Sequence, residues 1–180
     1  MAKLVSKRYA LALFETGLEL EKIEEFKKEI NSVSNVLEDE PKIELILNHP
    51  KISKDEKKEL LNAIFKDIVS QEMLNFLYVV VDKNRERYIR EISDYYDFLY
   101  NEEKNIVEAT VITAVPMGKG TEGKLQLILT NKLNKNVKLK NVVDSNIVGG
   151  AMLKVDNKII DGSIRGQLDS MMKNLKAMRV

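Results

Sequence analysis

The chain has few side chains that could act as a nucleophile, a general base or a metal ligand. Its 180 residues include one histidine, no cysteine and no tryptophan. That histidine, His49, precedes Pro50 in a predicted loop, and no second histidine or cysteine lies near it to complete a metal site. A serine hydrolase would need His49 as its base. The composition therefore argues against both catalytic and metal chemistry, and we expect no catalytic residue and no metal.

One glycine motif is compatible with nucleotide binding. Gly118, Gly120 and Gly123 match the G-x-G-x-x-G fingerprint, which places a pyrophosphate at the start of a helix. However, Pro116 separates these glycines from the preceding strand. In addition, Glu122 would put a negative charge where the pyrophosphate must lie. The sequence favours a helix-entry loop here, and we expect no cofactor.

A run of lysines in the second half could indicate nucleic-acid binding. The run consists of Lys124, Lys132, Lys135, Lys138 and Lys140. No aromatic residues alternate with these lysines to stack on bases, and lysines on an exposed helix or strand commonly form only a solvated face. An adaptor that binds nucleic acid or nucleotide through this basic half is the alternative interpretation.

The first 105 residues show only helical periodicity. Apolar residues recur every three or four positions in six segments joined by short loops, which predicts a six-helix bundle. Ser53 and Glu56 have the spacing of a capping box for the fourth helix, and Ser70 can cap the fifth, which is apolar nearly all round. The sixth helix presents one apolar stripe, made of Tyr88, Ile92, Tyr95 and Leu99.

After residue 105 the pattern changes. Val107 to Val115 alternate as in a strand, residues 125–133 predict a helix, and residues 137–142 predict a second strand. A hairpin centred on Asp156-Asn157 and a final helix complete a small C-terminal α/β module over residues 106–180. We therefore predict an α+β chain of two domains, an N-terminal bundle over residues 1–105 and this module.

The two predicted domains differ in charge. Residues 1–105 have a net charge of about −5 and residues 106–180 of about +6, which suggests different partners. No segment approaches the ~20 consecutive apolar residues of a membrane span. Because no transit peptide precedes the first helix, we expect a bacterial source.

The stretch from Ile147 to Leu175 is the most distinctive part of the chain. Asp161-Gly162 suits a turn, and Ser163 can accept the backbone N–H groups of a new helix. The stripe of that helix is Ile164, Leu168, Met171 and Leu175. We expect Ile164 and Leu168 to pack inside the module, and we interpret residues 161–163 as structural.

The same stretch resembles the C-terminal signature of the delta subunit of F-type ATP synthases, the family of the oligomycin-sensitivity-conferring protein. The matching blocks are residues 147–150 (IVGG) and 160–168 (IDGSIRGQL). Residues 8–14 (RYALALF) and 48–53 (NHPKIS) are similar to N-terminal blocks of that family, so the resemblance spans essentially the whole chain. Two departures are residues 118–120 (GKG) at a helix start and Asn84 in place of a glycine.

The resemblance implies a non-catalytic stator subunit. Such a subunit links the catalytic α/β head to the peripheral stalk and resists rotor torque during ATP synthesis coupled to ion transport. The implied partners are the N-terminal helix of an α subunit and the b subunit of the stalk, with no nucleic acid. The implied location is the cytoplasmic face of the bacterial cell membrane, as a peripheral protein that reaches the membrane only through the complex.

The resemblance also implies site residues. The α-subunit helix would bind in a groove between the first and fifth helices, at the positions Tyr9, Ala12 and Val79. The small side chains of Ala10 and Ala12 would let a third helix approach closely. For the stalk, the expected contacts are Arg165, Lys173 and Lys176.

Overall fold

The computed structural model describes residues 2–155 and 158–177, and the chain divides into two compact units, residues 1–100 and 101–180. The first unit consists of helices, whereas the second contains a small sheet with helices. The predicted α+β class, with a helical N-terminal part followed by an α/β part, is confirmed.

Six α-helices and one 3₁₀ turn occur in the described part of the chain up to residue 103. They are α1 (Ala2–Glu19), α2 (Ile23–Asp39), α3 (Pro41–Leu47), α4 (Lys54–Phe65), α5 (Gln71–Asp82), the 3₁₀ turn (Glu86–Tyr88) and α6 (Ile89–Glu103). The predicted capping box is present, since Ser53 Oγ accepts the Glu56 N–H at 3.3 Å and Glu56 Oε2 accepts the Ser53 N–H at 2.8 Å. Asn84 ends the α5 segment in the left-handed region, with a φ of 53°.

The core of the first unit draws large apolar side chains from all six α-helices, including Leu13 and Phe14 of α1. The largest fully buried ones include Tyr96, Phe26, Phe65, Ile30, Leu47, Leu61, Met73 and Leu77. The predicted apolar stripe does pack on the core, since Ile92 is buried and Tyr88, Tyr95 and Leu99 pack against it; Tyr96, which the stripe did not include, is fully buried as well. The Tyr96 hydroxyl donates to the Ile23 carbonyl at 3.1 Å, and burial raises the pKa of this phenol.

The second unit is built on a four-stranded sheet with the order β2-β1-β3-β4. Its elements are β1 (Ile106–Thr113), α7 (Lys119–Leu133), β2 (Asn136–Val143), a 3₁₀ turn (Ser145–Ile147), β3 (Ala151–Val155), β4 (Lys158–Asp161) and α8 (Ile164–Ala177). Strands β1 and β2 are parallel, and the β1–β3 and β3–β4 pairs are antiparallel. The core between α7 and one sheet face centres on Ala109, Leu129 and Val137.

One boundary in this unit differs from the predicted one, because strand β1 ends at Thr113 and not at Val115. Helix α7 begins at Lys119 with Gly118 as its N-cap, so the glycine motif opens this helix, as predicted. The strands on either side of the predicted hairpin are present. The predicted turn itself, Asp156-Asn157, lies outside the described residues.

Candidate partner-binding surfaces

Helices α1 and α5 meet along a partly exposed seam. The rings of Tyr9 on α1 and Phe76 on α5 pack edge to face with centroids 6.5 Å apart. Ala12, one turn along α1 from Tyr9, is exposed, and Val79, one turn along α5 from Phe76, is 49% exposed. We call Tyr9, Ala12, Phe76 and Val79 the α1–α5 seam. The three residues predicted for the α-subunit helix, Tyr9, Ala12 and Val79, lie on these two helices.

One expectation about these helices is wrong. Ala10 is fully buried, so it packs in the core and lies away from the surface where a third helix could approach. Helix α5, which is apolar nearly all round, is largely buried, with five side chains in the core. Val79 faces outward and is 49% exposed. A single exposed apolar side chain is common on protein surfaces, so Val79 is informative only together with its neighbours on the seam.

A buried carboxylate on α2 positions the start of α5. Glu29 accepts the Ser70 N–H at 2.7 Å and the Ser70 hydroxyl at 2.8 Å. Ser70 Oγ in turn accepts the Met73 N–H at 3.3 Å, as its predicted capping role requires. Because charge-assisted hydrogen bonds are stronger than neutral ones, this relay fixes the α5 N-terminus against α2.

An ion pair supports the same junction. Lys22, at the start of α2, lies 3.0 Å from Glu72 in the first turn of α5. The hydrogen bond with Lys22 lowers the pKa of the Glu72 carboxyl, and the bond with Glu72 raises the pKa of the Lys22 ammonium. Both side chains are substantially exposed, so we expect this pair to contribute little to stability. Its effect is to orient α5.

The second candidate surface begins where α8 starts. Asp161 Oδ1 accepts the Ser163 N–H at 2.9 Å, and Ser163 Oγ accepts the Gly166 N–H at 3.0 Å, which confirms the predicted turn and cap. The two bonds from Ser163 lower the pKa of the Asp161 carboxyl. Gly150 has a φ of +81°, and a Cβ there would collide with the Gly162 carbonyl oxygen.

The apolar stripe of α8 is exposed over its described side chains. The fractions are 46% for Ile164, 55% for Leu168, 61% for Met171 and 58% for Met172. The expectation that Ile164 and Leu168 pack inside the module is therefore wrong, although Ile164 does lie against Gly149. We call these four residues the α8 face. Its exposure is physically expected if a partner covers it.

The structure places only one of the three predicted stalk contacts. Arg165 is exposed beside the α8 face, and its Nη1 donates to the Asn146 carbonyl at 3.5 Å. Lys173 and Lys176 fall within the α8 backbone, but their side chains lie outside the described part of the structure. The contacts expected for these two residues therefore stay predictions.

The structure gives the glycine motif a local role. Gly118 caps α7, Gly120 and Gly123 lie in its first turns, and a Cβ at any of the three would meet open space. A dinucleotide fingerprint needs its glycines for close backbone approach. Here nothing approaches the three glycines closely, so a dinucleotide fingerprint is not indicated. In addition, Glu122 places a negative charge in the first turn of α7.

The remaining candidates for chemistry are also accounted for locally. His49 is exposed, and its Nδ1 accepts the Lys51 N–H at 3.2 Å. Among residues 2–155 and 158–177, no group of three or more histidine, cysteine, aspartate or glutamate side chains could bind a metal ion. Over the same ranges, no helix is both long enough and apolar enough to cross a bilayer.

The five lysines of the basic run do not form one stripe. Lys124 and Lys132 lie on α7, which packs against one face of the sheet. Lys138 and Lys140 are exposed on β2 and alternate with Val137 and Leu139, the side chains that face α7. The two pairs therefore project to opposite sides of the sheet. That arrangement does not resemble the continuous basic groove of a nucleic-acid-binding protein.

Sequence reasoning missed Glu29 and Phe76. Glu29 falls on the apolar stripe of α2, next to Phe26 and Ile30, and a carboxylate in such a stripe signals a cap or an ion pair. That signal was available in the sequence. Phe76 carried no such signal, because most of α5, including Met73, Leu77 and Val80, is also apolar.

Comparison with known proteins gives consistent results over the full chain. Residues 5–175 match the family model described as "ATP synthase delta (OSCP) subunit". The ATP synthase subunit delta of Alkaliphilus oremlandii (strain OhILAs) is 43% identical, over 100% of both chains. The protein of the same name from Clostridioides difficile (strain 630) is 38% identical, over 97% of both chains.

A solved structure shares the fold. A chain of the Toxoplasma gondii mitochondrial ATP synthase hexamer, determined by cryo-EM, superposes with a TM-score of 0.73 over 94% of this chain and 96% of its own. The two sequences are only 21% identical, so this likeness supports the architecture alone.

Proposed function

The chain belongs to the ATP synthase delta (OSCP) family, and from this premise we propose how each of its two units binds a partner. As a member it is a non-catalytic component of the peripheral stalk, the stator of the F-type ATP synthase, and it contacts α subunits and the stalk. Its membrane association is indirect, through the complex. Nothing in the comparisons supports the nucleic-acid alternative.

In the proposed division, residues 1–105 bind the N-terminal helix of an α subunit and residues 106–180 bind the b subunit. The two relatives named above, from Alkaliphilus oremlandii and Clostridioides difficile, are bacterial proteins. This origin supports a location on the cytoplasmic face of the bacterial cell membrane. There the two contacts would resist rotor torque while ion transport drives ATP synthesis.

The observation behind the first contact is the α1–α5 seam. Val79 is half exposed although α5 is a core helix, and it shares the surface with Ala12 and the Tyr9–Phe76 ring pair. A groove between two helices, with small and aromatic side chains, is the usual receptor for an amphipathic helix. The small Ala12 allows close approach, while Tyr9 and Val79 provide apolar contacts.

The affinity that the joint needs can be compared with the free energy that a few central contacts provide. A joint under torque needs nanomolar binding, which corresponds to about 12 kcal/mol. Truncation of a hot-spot side chain at the centre of an interface costs roughly 2–4 kcal/mol. Two or three such contacts account for only about 4–12 kcal/mol, so the weaker contacts around the α1–α5 seam must supply part of the affinity.

The seam is tested by Ala12→Asp. Placing an unpaired carboxylate against a bound apolar helix should reduce the affinity for a synthetic α-subunit N-terminal peptide at least a hundredfold, as measured by calorimetry. The bundle should stay folded, because Ala12 is exposed. Ala63→Asp on the exposed side of α4 is the matched control and should leave the affinity unchanged. Unchanged peptide affinity in Ala12→Asp would remove the seam assignment.

The second contact rests on the α8 face and its cations. Four apolar side chains in a row on one helix form a surface that a stalk helix can cover. Arg165, with Lys173 and Lys176 further along α8, would pair with stalk acids. Such rim charges mainly raise the association rate and add salt dependence.

The α8 face is tested by Leu168→Ser. The exchange should release the protein from b-containing stalk preparations without lowering its thermal stability, because Leu168 is 55% exposed. Leu127→Ser on α7, 64% exposed, provides the control for a general loss of surface apolarity. Equal retention of Leu168→Ser and the control would contradict the assignment.

A further inference from the structure

A second apolar line runs along α1, beside α6 and away from the α1–α5 seam. Leu4, Leu11 and Leu18 recur every seven residues, which places them on one side of the helix. They are 66%, 45% and 44% exposed. Leu11 lies one turn from both Lys7 and Phe14, the side chains through which α1 contacts α6. This line is therefore distinct from the seam.

Helix α6 supplies the opposite wall. Tyr95 and Phe98 stack with ring centroids 5.4 Å apart, and Phe98 is 48% exposed. Lys7 Nζ lies 5.0 Å from the centre of the Tyr95 ring, and the rings of Phe14 and Tyr96 pack edge to face at 5.5 Å. The two helices are thus directly adjacent. Both helices carry partly or largely exposed apolar side chains next to these contacts, and we call this set the α1–α6 groove: Leu4, Leu11, Leu18, Tyr95 and Phe98.

The dimensions of the groove indicate a helical occupant. Leu4 and Leu18 are fourteen residues apart, so the apolar line is roughly 21 Å long and matches about four helical turns. The seven-residue repeat resembles one position of a coiled-coil heptad, which packs against another helix. Aromatic side chains of the kind found here, Tyr95 and Phe98, commonly dominate helix-in-groove interfaces.

The charged side chains next to the groove indicate whether the helix that binds there is acidic or basic. Glu15, Glu91 and Asp94 are exposed and lie one turn from Leu11, Tyr95 and Phe98 respectively. The nearby cations are Lys7, which lies over the Tyr95 ring, and Arg8. Among the side chains that the structure describes, carboxylates therefore outnumber cations along the rim. A partner with lysine or arginine beside its apolar stripe would complement this rim.

We infer that the α1–α6 groove docks a basic amphipathic helix from a neighbouring subunit of the complex. This contact goes beyond the proposed function, because it uses the other flank of α1 and leaves the α1–α5 seam free for its own helix. Helix α1 would then be covered on two sides, by two different helices.

The test uses the whole assembled enzyme. A photoreactive p-benzoylphenylalanine replaces Leu11 in one preparation and Ala12 in another, and cross-linked segments are identified by mass spectrometry. The groove proposal expects the Leu11 probe to join a helical segment of net positive charge that the Ala12 probe does not join. Cross-linking to an acidic or extended segment, to lipid or to a second copy of this chain would overturn it, as would no product.

The two probes separate the two claims. Failure of the Ala12 probe alone would count against the α1–α5 seam, and failure of the Leu11 probe alone against the α1–α6 groove. In addition, the double variant Leu11→Ser/Phe98→Ser should dissociate from the complex about tenfold faster than the parent protein. Leu20→Ser is the matched control, 46% exposed just after α1. Equal dissociation of the double variant and this control would contradict the proposal.

Discussion

The two units of this chain reach stability in different ways. The first unit buries large side chains from all six of its α-helices and adds a buried carboxylate, Glu29, that fixes one helix end. The second has a small core around Ala109, Leu129 and Val137, and its last helix exposes an apolar face. Since burial of apolar area drives folding, the first unit should be stable alone, whereas the second should gain stability from its partner.

The largest expected effect tests the core of the first unit. Phe26→Ala removes a fully buried ring and should lower the free energy of unfolding by about 3–5 kcal/mol, measured by urea titration with circular dichroism. Leu129→Ala, at the smaller core, should cost about 2–3 kcal/mol because its surroundings can relax more easily. Leu45→Ala, 71% exposed, should change stability by less than about 0.5 kcal/mol. Equal losses of unfolding free energy for Phe26→Ala and Leu129→Ala would contradict the proposed difference between the two cores.

Next in size is a change at the base of α8. Gly150→Ala puts a Cβ against the Gly162 carbonyl oxygen at a positive φ, and should destabilise the second unit by about 2–4 kcal/mol. Hydrogen exchange should show the loss in β3, β4 and α8. Gly120→Ala is the matched control, because its Cβ would meet open space inside a helix and should stabilise slightly. If Gly150→Ala leaves the stability of the second unit unchanged, the predicted clash with the Gly162 carbonyl oxygen is wrong.

A smaller effect is expected from the loss of the hydrogen bonds between Glu29 and Ser70, which hold the start of α5 against α2. Glu29→Gln keeps the size of the side chain but loses the charge that accepts two bonds from Ser70, so we expect a loss of about 1–3 kcal/mol. Affinity for the α-subunit peptide should fall with it, because α5 starts at this relay. Glu25→Gln, exposed on the same helix, should change neither quantity. If stability falls but peptide affinity does not change, the Glu29–Ser70 hydrogen bonds do not affect binding at the seam.

The smallest effect concerns pH. The pKa of Asp161 is lowered in the folded chain by its bonds from Ser163, below the unfolded value of about 3.9. A lowered folded pKa contributes stability above the unfolded pKa, and this contribution disappears as the pH falls through the folded pKa. Amide protection of the first turn of α8 should therefore decrease on acidification below about pH 4. Asp161→Asn should show less protection at neutral pH and a weaker pH dependence.

Much of the fold was predictable because local rules act over a few residues. The capping box at Ser53 and Glu56, the cap at Ser70 and the turn at residues 161–163 all formed as predicted. These features depend on hydrogen bonds between near neighbours, so their spacing in sequence determines them.

The sequence did not predict which apolar faces become buried. Periodicity gave the right helix for α8, but it could not distinguish a face that packs internally from one left for a partner. On α6 the predicted stripe packs against the core, but periodicity did not single out Tyr96, which is fully buried. The candidate site residues came from family resemblance. The structure adds their surroundings, such as the contact of Tyr9 with Phe76.

Two of the four side chains on the α8 face are methionines, Met171 and Met172, and both are more than half exposed. A thioether chain is unbranched and polarisable, so it adapts its shape to differently shaped neighbours. Stalks of divergent sequence should therefore be accepted in hybrid enzymes. The same sulfur atoms are open to oxidants, and their conversion to sulfoxides would make this surface polar until a reductase restores it.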